Sequence, residues 1–118
     1  MSALEMWMAG YMRAWASNAP ADIRALFTDD AVVRNEPYTP AFVGADSIVD
    51  EWLRRRDEAG SYTFDWQPLS VTRDVAVITG TISYAAGTTY SNLWVIRLAD
   101  DGRATEFTEW WMDHANPS

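Results

Sequence analysis

The chain has 118 residues, 48% of them hydrophobic, which suits one domain with a real core and excludes a disordered chain. Its 17 acidic and 9 basic residues give a net charge of −8, which argues against nucleic acid or an anionic membrane as a partner. No apolar run reaches the ~18 residues that cross a bilayer, and without cysteine there is no disulfide or thiolate chemistry. The first residues carry no basic segment typical of a signal peptide, so we expect a single cytoplasmic domain over residues 1–118.

Residues 2–18 carry the clearest helical pattern. Apolar side chains recur there at i, i+4, i+7 and i+11, the spacing of one helical face. These side chains are Leu4, Met8, Tyr11 and Trp15. Proline is favoured in the first turn of a helix, so Pro20 predicts a second, short helix over residues 21–27.

The stretch FTDDAVVRNEPYTPAFVGADSI, residues 27–48, indicates the end of that helix, a strand, a Pro-rich loop and the start of a third helix. Its β-branched run predicts the strand over residues 31–35. Asp46 and Ser47 offer capping oxygens for the third helix, which is predicted to continue to residue 59 and to stop at the next glycine. A strand that ends in a rigid loop is a good place for the mouth of a pocket.

Three consecutive arginines, residues 54–56, lie within this third helix among acidic residues. Glu51 precedes Arg55 by four residues, and Asp50 precedes Arg54 by the same spacing. We therefore predict a solvent-exposed helix face with local ion pairs.

The second half of the chain is predicted to form four strands joined by tight turns. Their ranges are residues 62–71, 75–84, 88–98 and 103–113, with turn signals at Ala86-Gly87 and around Gly102. Three helices and a strand followed by an antiparallel meander predict an α+β fold with the helices on one face of the sheet. The opposite face is half apolar, with Leu93, Val95 and Trp110, which predicts a homodimer through that face.

Seven tryptophans are too many for the core of one small domain. Large rigid aromatic side chains are favoured in cavities and interfaces, so some should line one.

Residues 27–48, the Trp15 region and the EWW segment at residues 109–111 together resemble the nuclear transport factor 2-like superfamily. Within it the chain is most similar to the SnoaL-like proteins, and the resemblance covers nearly the whole length. It implies a cone-like α+β barrel, in which three N-terminal helices pack on a curved mixed or antiparallel sheet that encloses one pocket. It also implies a homodimer, in agreement with the half-apolar sheet face.

Ketosteroid isomerase is one enzyme branch of that superfamily. Laid over this chain, its oxyanion tyrosine falls on Tyr11, its catalytic aspartate on Asn35 and its protonated oxyanion aspartate on Trp94. Glu36 is a poor substitute base, because the next residue on a strand points to the opposite face. The resemblance therefore implies that steroid isomerisation is lost.

The limonene epoxide hydrolase-like group is a second branch. Its water-positioning asparagine matches Asn35, and its catalytic acid falls on Glu109. Its arginine and aspartate fall on Thr81 and Ser83, so activation of water by an arginine-held carboxylate is lost. Glu109 alone would then act as acid or base.

These overlays and the strand period predict one site around Glu109. Period two places Phe107, Glu109 and Trp111 on one face, and burial between aromatic rings should raise the pKa of this carboxyl. The candidate catalytic residues are Glu109, Asn35 and Tyr11. The candidate substrate-binding residues are Trp15, Tyr38, Trp52, Thr81, Ser83, Trp94, Phe107 and Trp111.

Structural explanations compete for each catalytic candidate. Glu109 could face solvent or bond a buried ring, Tyr11 could be a core tyrosine, and Asn35 could cap the turn before Pro37. With one histidine, no cysteine and no Gly-rich phosphate loop, we expect neither a metal nor a cofactor.

The sequence thus predicts a SnoaL-like protein with an aromatic-lined hydrophobic pocket. One hypothesis is a cofactor-free acid–base enzyme, a cyclase, isomerase, dehydratase or hydrolase, acting on a polycyclic, terpenoid or polyketide-like molecule. The alternatives are a non-catalytic homodimeric module that binds an apolar ligand, and a dimerising domain with a filled core.

Overall fold

The chain folds as three helices packed on a six-stranded sheet. The computed structural model describes residues 2–35, 38 and 40–116. Its elements are α1 (Ala3–Ser17), α2 (Pro20–Arg24), β1 (Phe27–Arg34), β2 (Phe42–Val43), α3 (Ala45–Arg54), β3 (Tyr62–Val71), β4 (Val75–Tyr84), β5 (Thr89–Leu98) and β6 (Ala104–Asp113). The strand order is β2-β1-β6-β5-β4-β3, with β1 parallel to β6 and the other neighbours antiparallel. The predicted α+β fold is confirmed, although the sheet stays open within the described residues.

Helix α1 is defined at both ends by capping interactions. Ser2 Oγ accepts the Glu5 backbone N–H at 3.1 Å, and the Glu5 carboxylate accepts the Ser2 N–H at 3.2 Å, a reciprocal capping box. At the other end Asn18 adopts a left-handed conformation with φ of 52° and donates its N–H to Ala14. The predicted inward face of this helix is confirmed, and Trp7 is buried on it as well.

The second helix is shorter than predicted. It ends at Arg24, and the strand begins at Phe27, which pairs with Ala104 of β6. The Leu26 carbonyl accepts the Ala104 N–H at 2.7 Å and the Trp7 indole N–H at 2.9 Å. The prediction of helix up to residue 27 is wrong because these tertiary hydrogen bonds take the backbone into the sheet.

The third helix also differs from its prediction at both ends. It starts after Gly44, whose φ is 91°, without a side-chain cap, and Asp46 instead lies in the first turn and pairs with Arg24. It ends at Arg54 rather than at residue 59, because the following segment turns back to bring Asp57 against α1.

Among the described helices, none combines the length and apolar character that crossing a membrane requires.

The arginine run forms one of the two predicted ion pairs. Arg55 Nε lies 2.5 Å from Glu51 Oε1, as the spacing of four indicates. Arg54 also bonds Glu51, at 2.6 Å, instead of the predicted Asp50.

The four strands of the meander agree with their predicted ranges to within one residue. The turns after β4 and β5 use Gly87 and Gly102 at φ of 108° and 88°, a region that glycine enters without steric cost. β3 forms one edge of the sheet, and its register with β4 shifts between Pro68 and Ser70. The other edge, the two-residue β2, was not predicted, nor was the parallel pairing of β1 with β6.

The core lies between the helices and the inner face of the sheet. Its most completely buried large side chains come from α1, α2, β4 and β5; they are Met8, Ile23, Ile78, Trp94 and Ile96. Gly80, on the inner face of β4, leaves room for the ring of Phe64, which stacks on Trp94 with a centroid distance of 5.0 Å.

We predict that Gly80→Ala destabilises the protein. An added Cβ would lie 2.5 Å from Phe64 Cε1, and the ring cannot retreat because Trp15 and Trp94 pack against it. The free energy of unfolding should fall by about 1–3 kcal/mol, the usual cost of overpacking. Urea denaturation measures it, with the exposed Ser83→Ala on the same strand as the control, expected within about 0.5 kcal/mol of the parent. Equal stability of Gly80→Ala and the parent would contradict this account of the packing.

Candidate functional site

A cavity of about 560 Å³ lies between α1, α3 and the inner face of the sheet. α1 contributes Tyr11 and Trp15, α3 contributes Trp52, and β6 contributes Glu109. The alternation of strand residues explains why the inner rows of β4, β5 and β6 form one continuous wall.

Ten of the 22 residues that line this cavity are aromatic. The ring of Tyr11 packs between Trp94 and Trp52, with centroid distances of 4.7 and 5.0 Å. The Trp15 indole stacks nearly parallel on Tyr62, with a centroid distance of 4.0 Å. Such rigid, apolar surfaces suit a flat or multi-ring hydrophobic ligand.

Glu109 is a carboxyl group that lies among these aromatic walls. It pairs across the β5–β6 ladder with Trp94, and its neighbours on the same face, Phe107 and Trp111, also line the cavity. Burial raises the pKa of this carboxyl to about 7. The indole N–H of Trp94, which can donate a hydrogen bond to the carboxylate, and the positive charge of Arg55 oppose this shift of the pKa.

Asn35 and Tyr11 bring neutral polar groups to the same cavity. In the parallel β1–β6 pairing Val33 is opposite Phe107, so Asn35, two residues on, is in line with Glu109. Burial, and then the charge of Glu109, hold the pKa of the Tyr11 hydroxyl well above its usual range. Tyr11 therefore stays protonated near neutrality and can donate a hydrogen bond.

Asp57, which the sequence did not single out, organises one side of the cavity. Its carboxylate Oδ2 accepts the Trp15 indole N–H at 3.0 Å and the Tyr84 hydroxyl at 3.1 Å. Burial and this carboxylate raise the pKa of Tyr84. The charge run around residues 54–58 hid this role, because Asp57 looked like one more acidic residue on a solvated helix.

The structure brings eight of the eleven predicted site residues to the cavity wall. They are Tyr11, Trp15, Asn35, Trp52, Trp94, Phe107, Glu109 and Trp111. Their placement is an observation, while their roles in binding or catalysis stay predictions.

Three predicted site residues lie elsewhere. Thr81 and Ser83 are exposed. Ile82, between them on β4, points into the core, so its two neighbours point to the opposite face of the sheet. Assigning them to the site was wrong. Tyr38, in the loop between β1 and β2, is 83% exposed and does not line the cavity.

Asn92 is a polar cavity residue that the sequence analysis passed over. It lies on the inner row of β5 and is only 6% exposed. The sequence could have indicated this, because Asn92 is a polar residue in the same strand row as the apolar Trp94 and Ile96.

The described residues contain no group of three or more His, Cys, Asp or Glu placed to hold a metal ion.

Solved structures share this architecture. A steroid delta-isomerase from Pseudomonas aeruginosa superposes with a TM-score of 0.68 at 16% identity, over 98% of this chain and 84% of that one. The epoxide hydrolase/cyclase-like enzyme SalBIII, of pyran ring formation in polyether salinomycin, superposes with a TM-score of 0.69 at 14% identity. The match covers 91% of this chain and 88% of that one. An LEH-like epoxide hydrolase from M. tuberculosis superposes with a TM-score of 0.60 at 16% identity, over 90% of this chain and 80% of that one. At these identities the likeness shows the fold alone.

The helices over an open sheet therefore define a nuclear transport factor 2-like fold. The profile of the SnoaL-like domain family matches residues 8–107, and the chain belongs to that family. This confirms the resemblance found in the sequence. No curated protein matches the chain.

We predict that Glu109 makes the stability of the protein depend on pH. Its pKa is about 7 in the folded chain and close to 4.5 when unfolded, so the folded state binds the proton more tightly. The contribution of Glu109 to stability is therefore fully present below pH 4.5 and is lost as the pH rises through 7. The loss is at most about 3 kcal/mol, because solvent reaches part of the side chain.

Chemical denaturation of the parent and of Glu109→Gln between pH 4.5 and 8 measures this term. The glutamine cannot ionise, so the variant should become more stable relative to the parent as the pH rises. Parallel stability curves would show that Glu109 does not titrate in this range.

Proposed function

We propose that the protein is a cofactor-free acid–base enzyme acting on an apolar polycyclic, terpenoid or polyketide-like molecule. The observation that carries the proposal is a carboxyl group with a pKa of about 7 inside an aromatic-lined cavity. A group with that pKa exchanges its proton efficiently near neutrality, as a general acid or base must.

In this proposal Glu109 transfers the proton, and Tyr11 and Asn35 orient the substrate or a water molecule. Tyr11 acts as a donor because its hydroxyl stays protonated. Asn35 cannot serve as a base, so the proton shuttle of a steroid isomerase is not expected. Ring closure, dehydration or hydrolysis, with a single carboxyl as acid or base, fits the residues better.

The isomerase and epoxide hydrolase/cyclase-like structures with this fold support the reaction class. They do so by analogy, because one fold hosts many chemistries and the site decides among them. Here the cavity retains the acidic position of the hydrolase-like overlay at Glu109. It lacks the arginine and aspartate of that overlay, because those positions are Thr81 and Ser83 in this chain, and both lie on the outer face.

A binding module without catalysis is the second candidate. The observation that favours it is that Thr81 and Ser83 stand where the hydrolase-like overlay has its arginine and aspartate, so Glu109 lacks that arginine-held aspartate. Under this alternative the aromatic walls sequester an apolar ligand, and the raised pKa of Glu109 is only a consequence of burial.

We expect Glu109→Gln to separate these candidates. The substitution keeps the shape of the side chain and removes its proton, so turnover should fall on the order of 10²–10⁴-fold while the fold is retained. The assay is a panel of polycyclic and terpenoid epoxides and enolisable ketones, followed by mass spectrometry from pH 5 to 9. For the substrate turned over, kcat/KM should fall above pH 7 if Glu109 is an acid, and below pH 7 if it is a base.

The outer-face variant Ser83→Ala is the matched control and should retain full turnover. If Glu109→Gln converts the substrate as fast as the parent, Glu109 takes no part in the mechanism, and the binding module becomes the better description.

We further propose that the protein forms a homodimer through the outer face of the sheet. Leu93 and Trp110 are register partners on that face, with Val95 beside them, and all three are only half buried in the isolated chain. An ion-pair network at the rim, in which Glu106 bonds Arg34 at 2.7 Å, gives this apolar patch a polar border.

Leu93→Arg should therefore shift the protein to a monomer, because it places a charge in the middle of the buried patch. Light scattering at micromolar concentration gives the mass of the parent and the variant. Thr63→Arg, at the exposed edge strand, is the control and should leave the dimer intact. A monomeric parent would refute the dimer.

A further inference from the structure

The cavity opens to solvent beside the arginine run at the end of α3. Among the residues that line the cavity, four are themselves exposed and mark this opening: Arg55, Arg56, Ala86 and Trp111. Arg54, the first residue of the run, does not line the cavity. Two guanidinium groups therefore lie at the opening, although the sequence indicated only a solvated helix face for this run.

Arg56 differs from most arginines of the molecule because it has no ion pair. The nine basic residues of the chain are all arginines, and six of them pair with a carboxylate. The three that pair with no described residue are Arg13, Arg56 and Arg73, and of these only Arg56 lines the cavity. Asp57 and Glu58 follow it directly in the sequence, yet it forms an ion pair with neither.

The guanidinium of Arg56 keeps most of its donors for another partner. Within the described residues its side chain donates one hydrogen bond, from Nη1 to the Leu53 carbonyl at 3.2 Å. A guanidinium has five N–H donors in a planar fork, which fits the two oxygens of a carboxylate. Arg55, beside it, shares the single carboxylate of Glu51 with Arg54, so the positive charge of this pair is only partly compensated.

We propose that Arg56, with Arg55 beside it, binds the carboxylate of a ligand whose apolar body lies in the cavity. The ligand is then an apolar polycyclic, terpenoid or polyketide-like carboxylic acid. Its charged end lies at the opening and its rings lie among the aromatic walls. This inference rests on the proposed function, because it names the class of substrate that the same cavity takes.

The opening suits one negative charge better than two. The cavity wall also carries the acidic residues Glu51, Asp57 and Glu109. The Asp57 carboxylate accepts hydrogen bonds from the neutral Trp15 indole and Tyr84 hydroxyl, so no arginine neutralises it there. These acidic groups make a second charge on the ligand costly. A carboxylate therefore fits the opening better than a phosphate dianion.

Two probes of nearly equal shape test the subsite. Naphthylbutanoate ends in a carboxylate, and naphthylbutanamide ends in a neutral amide. At pH 6 the acid is ionised, while Glu109, with a pKa of about 7, is mostly protonated and does not repel it. Titration calorimetry at low salt should show that the parent binds the carboxylate on the order of tenfold more tightly than the amide, as expected for a charge-assisted hydrogen bond. High salt should reduce this preference, because it screens exposed charges.

Arg56→Gln is the decisive variant because glutamine keeps a polar side chain and removes the positive charge. It should lose most of the preference for the carboxylate and keep the affinity for the amide. Arg73→Gln is the matched control, since it removes another exposed, unpaired arginine outside the cavity and changes the net charge equally; it should retain the full preference. Arg54→Gln removes a charge from the same run but not from the cavity wall, and should keep most of the preference.

Four results would overturn the subsite. The first two are equal affinity of the parent for the two probes at low salt, and a preference that survives Arg56→Gln. The third is a preference lost to the same extent in Arg73→Gln, which would reflect net charge alone. The fourth is an equal loss of affinity for both probes in Arg56→Gln, which would mean that this side chain shapes the cavity instead of binding the charge.

The same titrations distinguish failure of the subsite from failure of the proposed function. A parent that binds neither probe would contradict the ligand-binding function itself. Binding of both probes without preference contradicts only the carboxylate subsite.

Discussion

The hydrogen bonds between the end of α1 and the segment after α3 determine the shape of the cavity. The Asn18 side chain donates to the Asp57 carbonyl at 2.9 Å and accepts the Trp52 indole N–H at 3.0 Å. The Asp57 carboxylate then binds Trp15 and Tyr84, so α1, α3 and β4 are joined through two polar residues. These bonds are partly shielded from water, where each is worth more than at the surface. They fix the positions of the two helices over the sheet, and the cavity lies between these helices and its inner face.

Within that space one cause has two chemical effects. The rings around Glu109 give an apolar ligand its binding surface, and the burial of the carboxyl among them raises its pKa. Tyr11 responds to the same surroundings by holding its proton. Affinity for hydrophobic molecules and acid–base reactivity near neutrality are therefore linked in this site, because both depend on the same packing.

Local patterns predicted the sheet well. Alternation and glycine turns specify β3 to β6, and the same alternation predicted that Phe107, Glu109 and Trp111 share a face. Features that depend on distant partners could not be read in this way. The early end of α3 follows from the bonds of Asp57 to α1, and β2 exists only because β1 lies beside it.

The error at Thr81 and Ser83 has a different origin. Counting along an overlay of distant relatives placed them in the site, while the apolar phase of β4 at Ile78 and Ile82 already indicated that they face outward. When an overlay of distant relatives and the two-residue alternation of a strand place a side chain on different faces, the alternation has the firmer physical basis.

The register shift in β3 bears on how the molecule behaves in a crowded solution. An edge strand offers unpaired backbone groups that can recruit a strand from another molecule and start aggregation. Here Pro68 has no N–H to offer, and the shift between Pro68 and Ser70 interrupts the regular spacing in the half of the strand where Leu69 and Val71 are exposed. At the opposite edge β2 is only two residues long. Both features disfavour the addition of a strand from another molecule at the edges of this open sheet.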